Sequence, residues 1–171
     1  MKKLKKLSTL IVVAALTIPS TVSAATVHEL GYSAVDSSEI RWGGSTKYST
    51  AWSSAVTAWN ALNKVVIAPD TVWSIEDLTI SDISEESDEP FTAQYINSIG
   101  ADELEFNTFY MDASYRTAAH NQNTAMHELG HALGIGDHEG AAYNTNIMYY
   151  AATSETTIKN HEKDDYNNIH S

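Results

Sequence analysis

Cysteine is absent from this 171-residue chain, which removes disulfides, thiolate metal sites and cysteine nucleophiles together. Basic residues are scarce: Lys and Arg number 10 against 22 Asp and Glu, a formal net charge of −12. Nucleic acid is therefore excluded as an expected partner, because phosphate binding needs clustered Lys and Arg. Only three prolines occur and 43% of the residues are hydrophobic. That composition belongs to a folded chain, and the length sets the expectation of one domain. There is no GxSxG elbow of a serine hydrolase and no phosphate loop, and Gly134, Gly136 and Gly140 miss the dinucleotide-binding spacing. The apolar run over residues 7–18 is short of the about 20 residues that span a bilayer.

That run follows Lys2, Lys3, Lys5 and Lys6 and precedes the small residues Val22, Ser23 and Ala24, the pattern of a secretory signal peptide. Residues 1–24 are expected to be removed, leaving one secreted domain over 25–171 that acts as a monomer. It keeps six bases against 22 acids, a formal charge of −16 with histidine neutral. So anionic a protein stays soluble, keeps away from anionic membranes and collects cations.

Residues 39–42 (EIRW) read as a short strand closed by a Gly43-Gly44 turn. A helix follows, with Ser49 or Thr50 as N-cap and Trp52, Ala55, Val56, Trp59 and Leu62 on a face expected to lie on a sheet. Residues 64–68 carry a β-branched run ending at Pro69-Asp70, and residues 77–83 alternate Leu78 and Ile80 with polar neighbours. Residues 103–111 form another expected strand, with Leu104 and Phe106 facing one way. The segment 81–90 contains Asp82, Glu85, Glu86, Asp88 and Glu89 without matching bases. It reads as a solvated loop or, alternatively, a Ca²⁺ site, although the glycine spacing of an EF-hand is missing.

Residues 124–138 read TAMHELGHALGIGDH. Ala125, Leu129, Ala132 and Leu133 recur at helical spacing, so one face of this segment is buried. On that helix His127 and His131 are four apart and share a face, where two imidazoles reach one ion at about 2.0–2.1 Å. Glu128 beside them can hold a metal-bound water and take its proton, while the metal lowers the pKa of that water towards about 7. This HExxH pattern carries metal-assisted hydrolysis of a peptide carbonyl. Gly134 is the expected helix stop, with a left-handed backbone. A third potential ligand follows, Asp137 or His138, and three protein ligands with an open fourth position suit a catalytic zinc. The remaining histidines carry simpler expectations: His28, His161 and His170 at the surface, and His120 solvated in a loop or, alternatively, serving a second metal or the cleft.

HELGHALGIGDH resembles the extended zinc motif of the metzincin metallopeptidases, HExxHxxGxxH or HExxHxxGxxD. Residues 146–150 (NIMYY) resemble the Met-turn beneath the metal in those enzymes, and residues 163–169 (KDDYNNI) are similar to the helix that closes matrixin-type catalytic domains. The resemblance implies an α+β zincin-like fold: a mixed, mostly parallel, five-stranded twisted sheet on helices. An upper subdomain would span about 25–134 and a lower one, with the Met-turn and final helix, about 135–171. It also implies a zinc-dependent endopeptidase acting on polypeptides, with His127 and His131 as zinc ligands and Glu128 as general base.

The register of the motif puts Asp137 at the third-ligand position, as in the small secreted snapalysin-like enzymes. His138 takes that place if the loop carries one extra residue, and Asp137 then orients a histidine from behind. Tyr150, two positions after Met148, matches a tyrosine that approaches the metal in astacin-like and serralysin-like enzymes; packing beside Tyr149 is its other reading. The strand at 103–111 is expected to be the edge that pairs with an extended substrate. A matrixin propeptide blocks the metal with a cysteine, and this chain has none.

Two rivals use the same residues. One is a secreted metal- or peptide-binding module without turnover, against which Glu128 argues, because a closed structural site needs no base beside it. The other is a gluzincin-type peptidase with Glu155 or Glu162 as third ligand.

Overall fold

Short β-branched and alternating runs become the strands β1 (Glu39–Gly44), β2 (Val66–Pro69), β3 (Leu78–Ile83), β4 (Ala93–Ile96) and β5 (Asp102–Asn107). The helices are α1 (Ser49–Asn60), the single turn α2 (Thr108–Met111), α3 (Ala118–Ala132) and α4 (Asn160–Ile169). These elements are seen in a computed structural model that describes residues 26–171, so the expected signal peptide over 1–24 lies outside the described residues. None of the described helices is long and apolar enough to cross a membrane.

The strands form one sheet in the order β2-β1-β3-β5-β4. β1 runs parallel to β2 and β3, and β3 parallel to β5, while β4 is antiparallel to β5. The fold is thus α+β, with a mixed, mostly parallel five-stranded sheet packed on helices. A parallel pair needs a crossover, and α1 supplies the one between β1 and β2. Its buried face of Ala51, Trp52, Ala55 and Trp59 joins Ile40, Leu78, Ile80, Leu104 and Phe106 from the sheet in the core. Trp59 also donates its indole N–H to the carbonyl of Met126 at 2.9 Å, which fixes α1 against α3. α4 is tied to the start of β2 by Tyr166, whose hydroxyl accepts from Val65 N at 2.8 Å and Lys64 N at 3.1 Å.

Three local expectations are corrected. α1 begins after Tyr48, which makes no side-chain cap, instead of being capped by Ser49 or Thr50, and Val56 and Leu62 are only half-buried at the rim of the core. The strand expected over 103–111 stops at Asn107, whose side-chain oxygen accepts from Phe109 N and opens α2. β5 is paired on both sides, so it is interior; the edge beyond it is β4, which sequence patterning did not reveal. The acids of the 81–90 segment are exposed. Asp82 is engaged by Thr46 Oγ1 at 2.5 Å and Lys47 N at 2.8 Å, and among the described residues no cluster of three or more His, Cys, Asp or Glu side chains placed to share a metal includes this run.

Candidate metal centre

α3 carries the site, and local chemistry sets both of its ends. Thr117 is the N-cap and His120 stands at the third helical position, each bonding back to the other's backbone as a capping box. His120 is therefore a helix-capping residue and not a solvated loop histidine; the usual Glu or Gln at that position is replaced by an imidazole, which hides the signal. The C-terminal end is a Schellman turn: Gly134 N donates to His131 O at 2.8 Å and Ile135 N to Gly130 O at 3.0 Å. Gly134 has φ +89°, a conformation that costs any L side chain energy. The turn throws the chain back across the helix end, towards Asp137. Beneath the helix, Gly130 leaves room for Met148; a Cβ there would collide with Met148 Sδ.

Backbone carbonyls orient the two histidines of α3. His127 Nδ1 donates to Ile147 O at 2.9 Å and His131 Nδ1 to Ile135 O at 2.8 Å. Each ring therefore turns Nε2 towards the cleft, where Asp137 Oδ1 lies 3.3 Å from His127 and 3.7 Å from His131. Three ligand-type atoms are thus grouped around one point. Burial lowers the His127 pKa, but the Asp137 hydrogen bond and the Glu128 charge outweigh it and bring the value up to about 9. His131 is lowered to about 4 by burial and by the charge of His127. Asp137 is held below the usual carboxylate range, chiefly by the hydrogen bond from His127. Positive charge, whether a proton or a cation, is favoured at the point where these atoms meet.

A cleft of about 500 Å³ opens above them, between Ala93–Tyr95 of β4 and residues 149–152, with His127, Glu128 and His131 on its floor. Glu128 is buried, and burial pushes its carboxyl up to about 7, with the Asp137 charge adding to the shift. Tyr150 lines the same cleft and is 60% exposed. Its ring also packs edge-on against that of Tyr149 at 4.7 Å, so it keeps that packing contact while standing on the cleft wall.

His138 is not part of this group. Along extended backbone successive side chains point to opposite sides, and His138 turns inward where Asp137 turns to the cleft. It is fully buried, with Nε2 at 2.8 Å from Asp165 Oδ2 and Nδ1 at 3.1 Å from Asn146 Nδ2. There it joins His28, His161 and Asp165, and these four side chains could together hold a metal ion. His28 and His161 are therefore half-buried and not free surface histidines, because the segment before β1 folds across α4. His170 is half-buried too, its ring 4.8 Å from that of Tyr166. The one sequence signal for this second group is the i, i+4 pair His161 and Asp165 on α4.

Glu155 and Glu162 stand elsewhere. Glu155 pairs with Lys159 at 2.9 Å, and Glu162 accepts from Met148 N at 2.8 Å and Lys159 N at 2.5 Å. No protein-family model and no curated protein matches this chain, so the chemistry of the centre rests on its own residues.

Proposed function

We propose that this protein is a secreted zinc-dependent endopeptidase of the metzincin type, acting on polypeptides with water as the nucleophile. One observation carries the reading: His127 and His131 turn their Nε2 atoms on Asp137 Oδ1, with Glu128 buried on the same cleft floor. The donor set fits zinc, since it offers two imidazole nitrogens and a carboxylate oxygen, and both imidazoles are fixed through their far nitrogens by backbone carbonyls. When bound, zinc supplies Lewis acidity towards a carbonyl oxygen and acidifies water.

The chain's own residues perform the rest. His127, His131 and Asp137 would hold the ion. Glu128 takes the proton of the attacking water and hands it to the leaving nitrogen. β4 offers its unpaired edge to an extended peptide, because strand addition satisfies backbone groups on both partners. Tyr150, on the facing wall, is the candidate donor to the developing oxyanion.

The test is cleavage of a denatured protein by the purified protein, with and without a zinc chelator, beside the Glu128→Ala variant. Cleavage should vanish with the chelator and return with zinc. Glu128→Ala should keep its zinc and lose about 10²–10⁴-fold in kcat/KM. A wild-type protein that holds zinc at His127 and His131 yet cuts nothing across a broad peptide pool would replace this reading with the metal-binding module.

A further inference from the structure

We propose that His28, His138, His161 and Asp165 form a second, closed zinc site, which staples the segment preceding β1 to α4. The site stands apart from the cleft and requires nothing of the peptidase reading. Geometry carries the assignment. A tetrahedral zinc with bonds of about 2.0–2.1 Å has ligand-to-ligand edges of about 3.3 Å. His138 Nε2 lies 2.8 Å, His28 Nδ1 3.5 Å and His161 Nε2 3.7 Å from Asp165 Oδ2, and His161 Nε2 lies 3.1 Å from His28 Nδ1. These four separations bracket that edge length.

Hydrogen bonding alone accounts for the arrangement less well. Two of the contacts, 3.5 and 3.7 Å, are too long to be hydrogen bonds. Three imidazole nitrogens nevertheless aim at one carboxylate oxygen, and the 3.1 Å pair sets two ring nitrogens face to face. A cation at the centre satisfies all four lone pairs together.

The surroundings match a metal site as well. The ligating carboxylate is mostly enclosed, at 1% side-chain exposure, and His138 is at 0%. The other carboxylate oxygen, Asp165 Oδ1, accepts from His28 N at 3.3 Å. The far nitrogen of His138 is held by the Asn146 side chain, and the Tyr143 ring stacks on His161 at 4.9 Å. Such supporting contacts orient metal ligands. Zinc loading puts the His138 proton on Nδ1, so the Asn146 amide presents its oxygen to the ring. With four protein ligands and no vacant position, the role is structural, and zinc is the ion that three imidazoles and one carboxylate in a tetrahedron select.

Zinc content of the purified His127→Ala/His131→Ala double variant tests this without touching the second group. One zinc per chain should survive dialysis against a weak chelator, with X-ray absorption showing three imidazoles and one further oxygen at about 2.0–2.1 Å. Stripping that zinc should lower Tm by about 5 °C or more, and adding His161→Gln should abolish retention. A folded double variant without zinc overturns the site, as does zinc that survives His161→Gln or that carries fewer than three imidazoles. Should His161→Gln fail to fold, the imidazole count in the double variant decides alone. A native chain that keeps this zinc but cuts no peptide would sink the peptidase reading and leave the second site standing; a cleaving enzyme whose double variant is zinc-free would do the reverse.

Discussion

Asp137 and His138 are adjacent in sequence and serve different centres. Asp137 faces the α3 histidines from a half-exposed position, with 48% of its side chain accessible, whereas His138 is sealed against Asp165 and Asn146. Substitution should separate them. Asp137→Ala is expected to weaken zinc binding at the α3 site by about 10–100-fold or more, read by competition with a chromophoric chelator, and to remove cleavage. His138→Ala should leave that affinity within a few-fold and instead lower thermal stability, because it removes a buried hydrogen-bond partner of Asp165 and leaves a cavity in its place. Equal loss of α3-site zinc in both variants would defeat the separation. The grouping of His127, Glu128 and His131 was legible from sequence because helical spacing alone puts the two histidines on one face. The second group was not, since His28 comes from a segment more than 130 residues before Asp165 and no local period links them.

At the scale of elements, the contact between α3 and the 146–150 turn depends on a glycine. Met148 fills the space over Gly130, and the same turn presents Ile147 O to His127. Gly130→Ala is therefore expected to cost about 1–3 kcal/mol by overpacking, measured by urea denaturation. It should also reduce cleavage, because the displaced turn carries the carbonyl that aims His127. A variant as stable as wild type would show that Met148 repacks freely.

Tyr166 makes the corresponding link for α4. Tyr166→Phe removes the acceptor for two backbone N–H groups of the β2 approach and should cost about 1–3 kcal/mol with an unchanged m-value. Elements with a strong period were readable in advance: the Trp-bearing face of α1, the alternation of β3 and the apolar stripe of α3. β4 was not, because its four residues (AQYI) are too few to show alternation. The end of β5 was misplaced for a related reason. The apolar pattern runs on through Phe109 and Met111, but the Asn107 side chain caps a helical turn there, a short-range polar effect that outweighs hydrophobic continuity.

The charge imbalance of the whole molecule bears on the cleft. Four of the six bases are engaged away from it: Arg41 pairs with Glu39, Lys47 with Asp112 and Lys159 with Glu155, and Lys64 donates to Asn167 O; Arg116 stands behind the cleft wall, donating to Thr124 Oγ1 at 2.8 Å. No Lys or Arg lines the cleft. The exposed acids Glu86, Asp88 and Glu89 sit on the loop that runs into its rim at Pro90 and Phe91. A potential of one sign focused on a groove raises the encounter rate of oppositely charged ligands and is screened over about 10 Å at 0.1 M salt. Two peptide substrates matched around the scissile bond, one flanked by lysines and the other by glutamates, should therefore differ by about ten-fold in kcat/KM at low ionic strength. The lysine peptide is expected to be preferred, through kcat/KM with kcat little changed, and the ratio should shrink towards one as salt is raised. Neutralising Glu86, Asp88 and Glu89 together to Gln, Asn and Gln should halve the preference or better if the rim loop dominates the field. A ratio that does not move with salt would place the discrimination in direct pocket contacts instead.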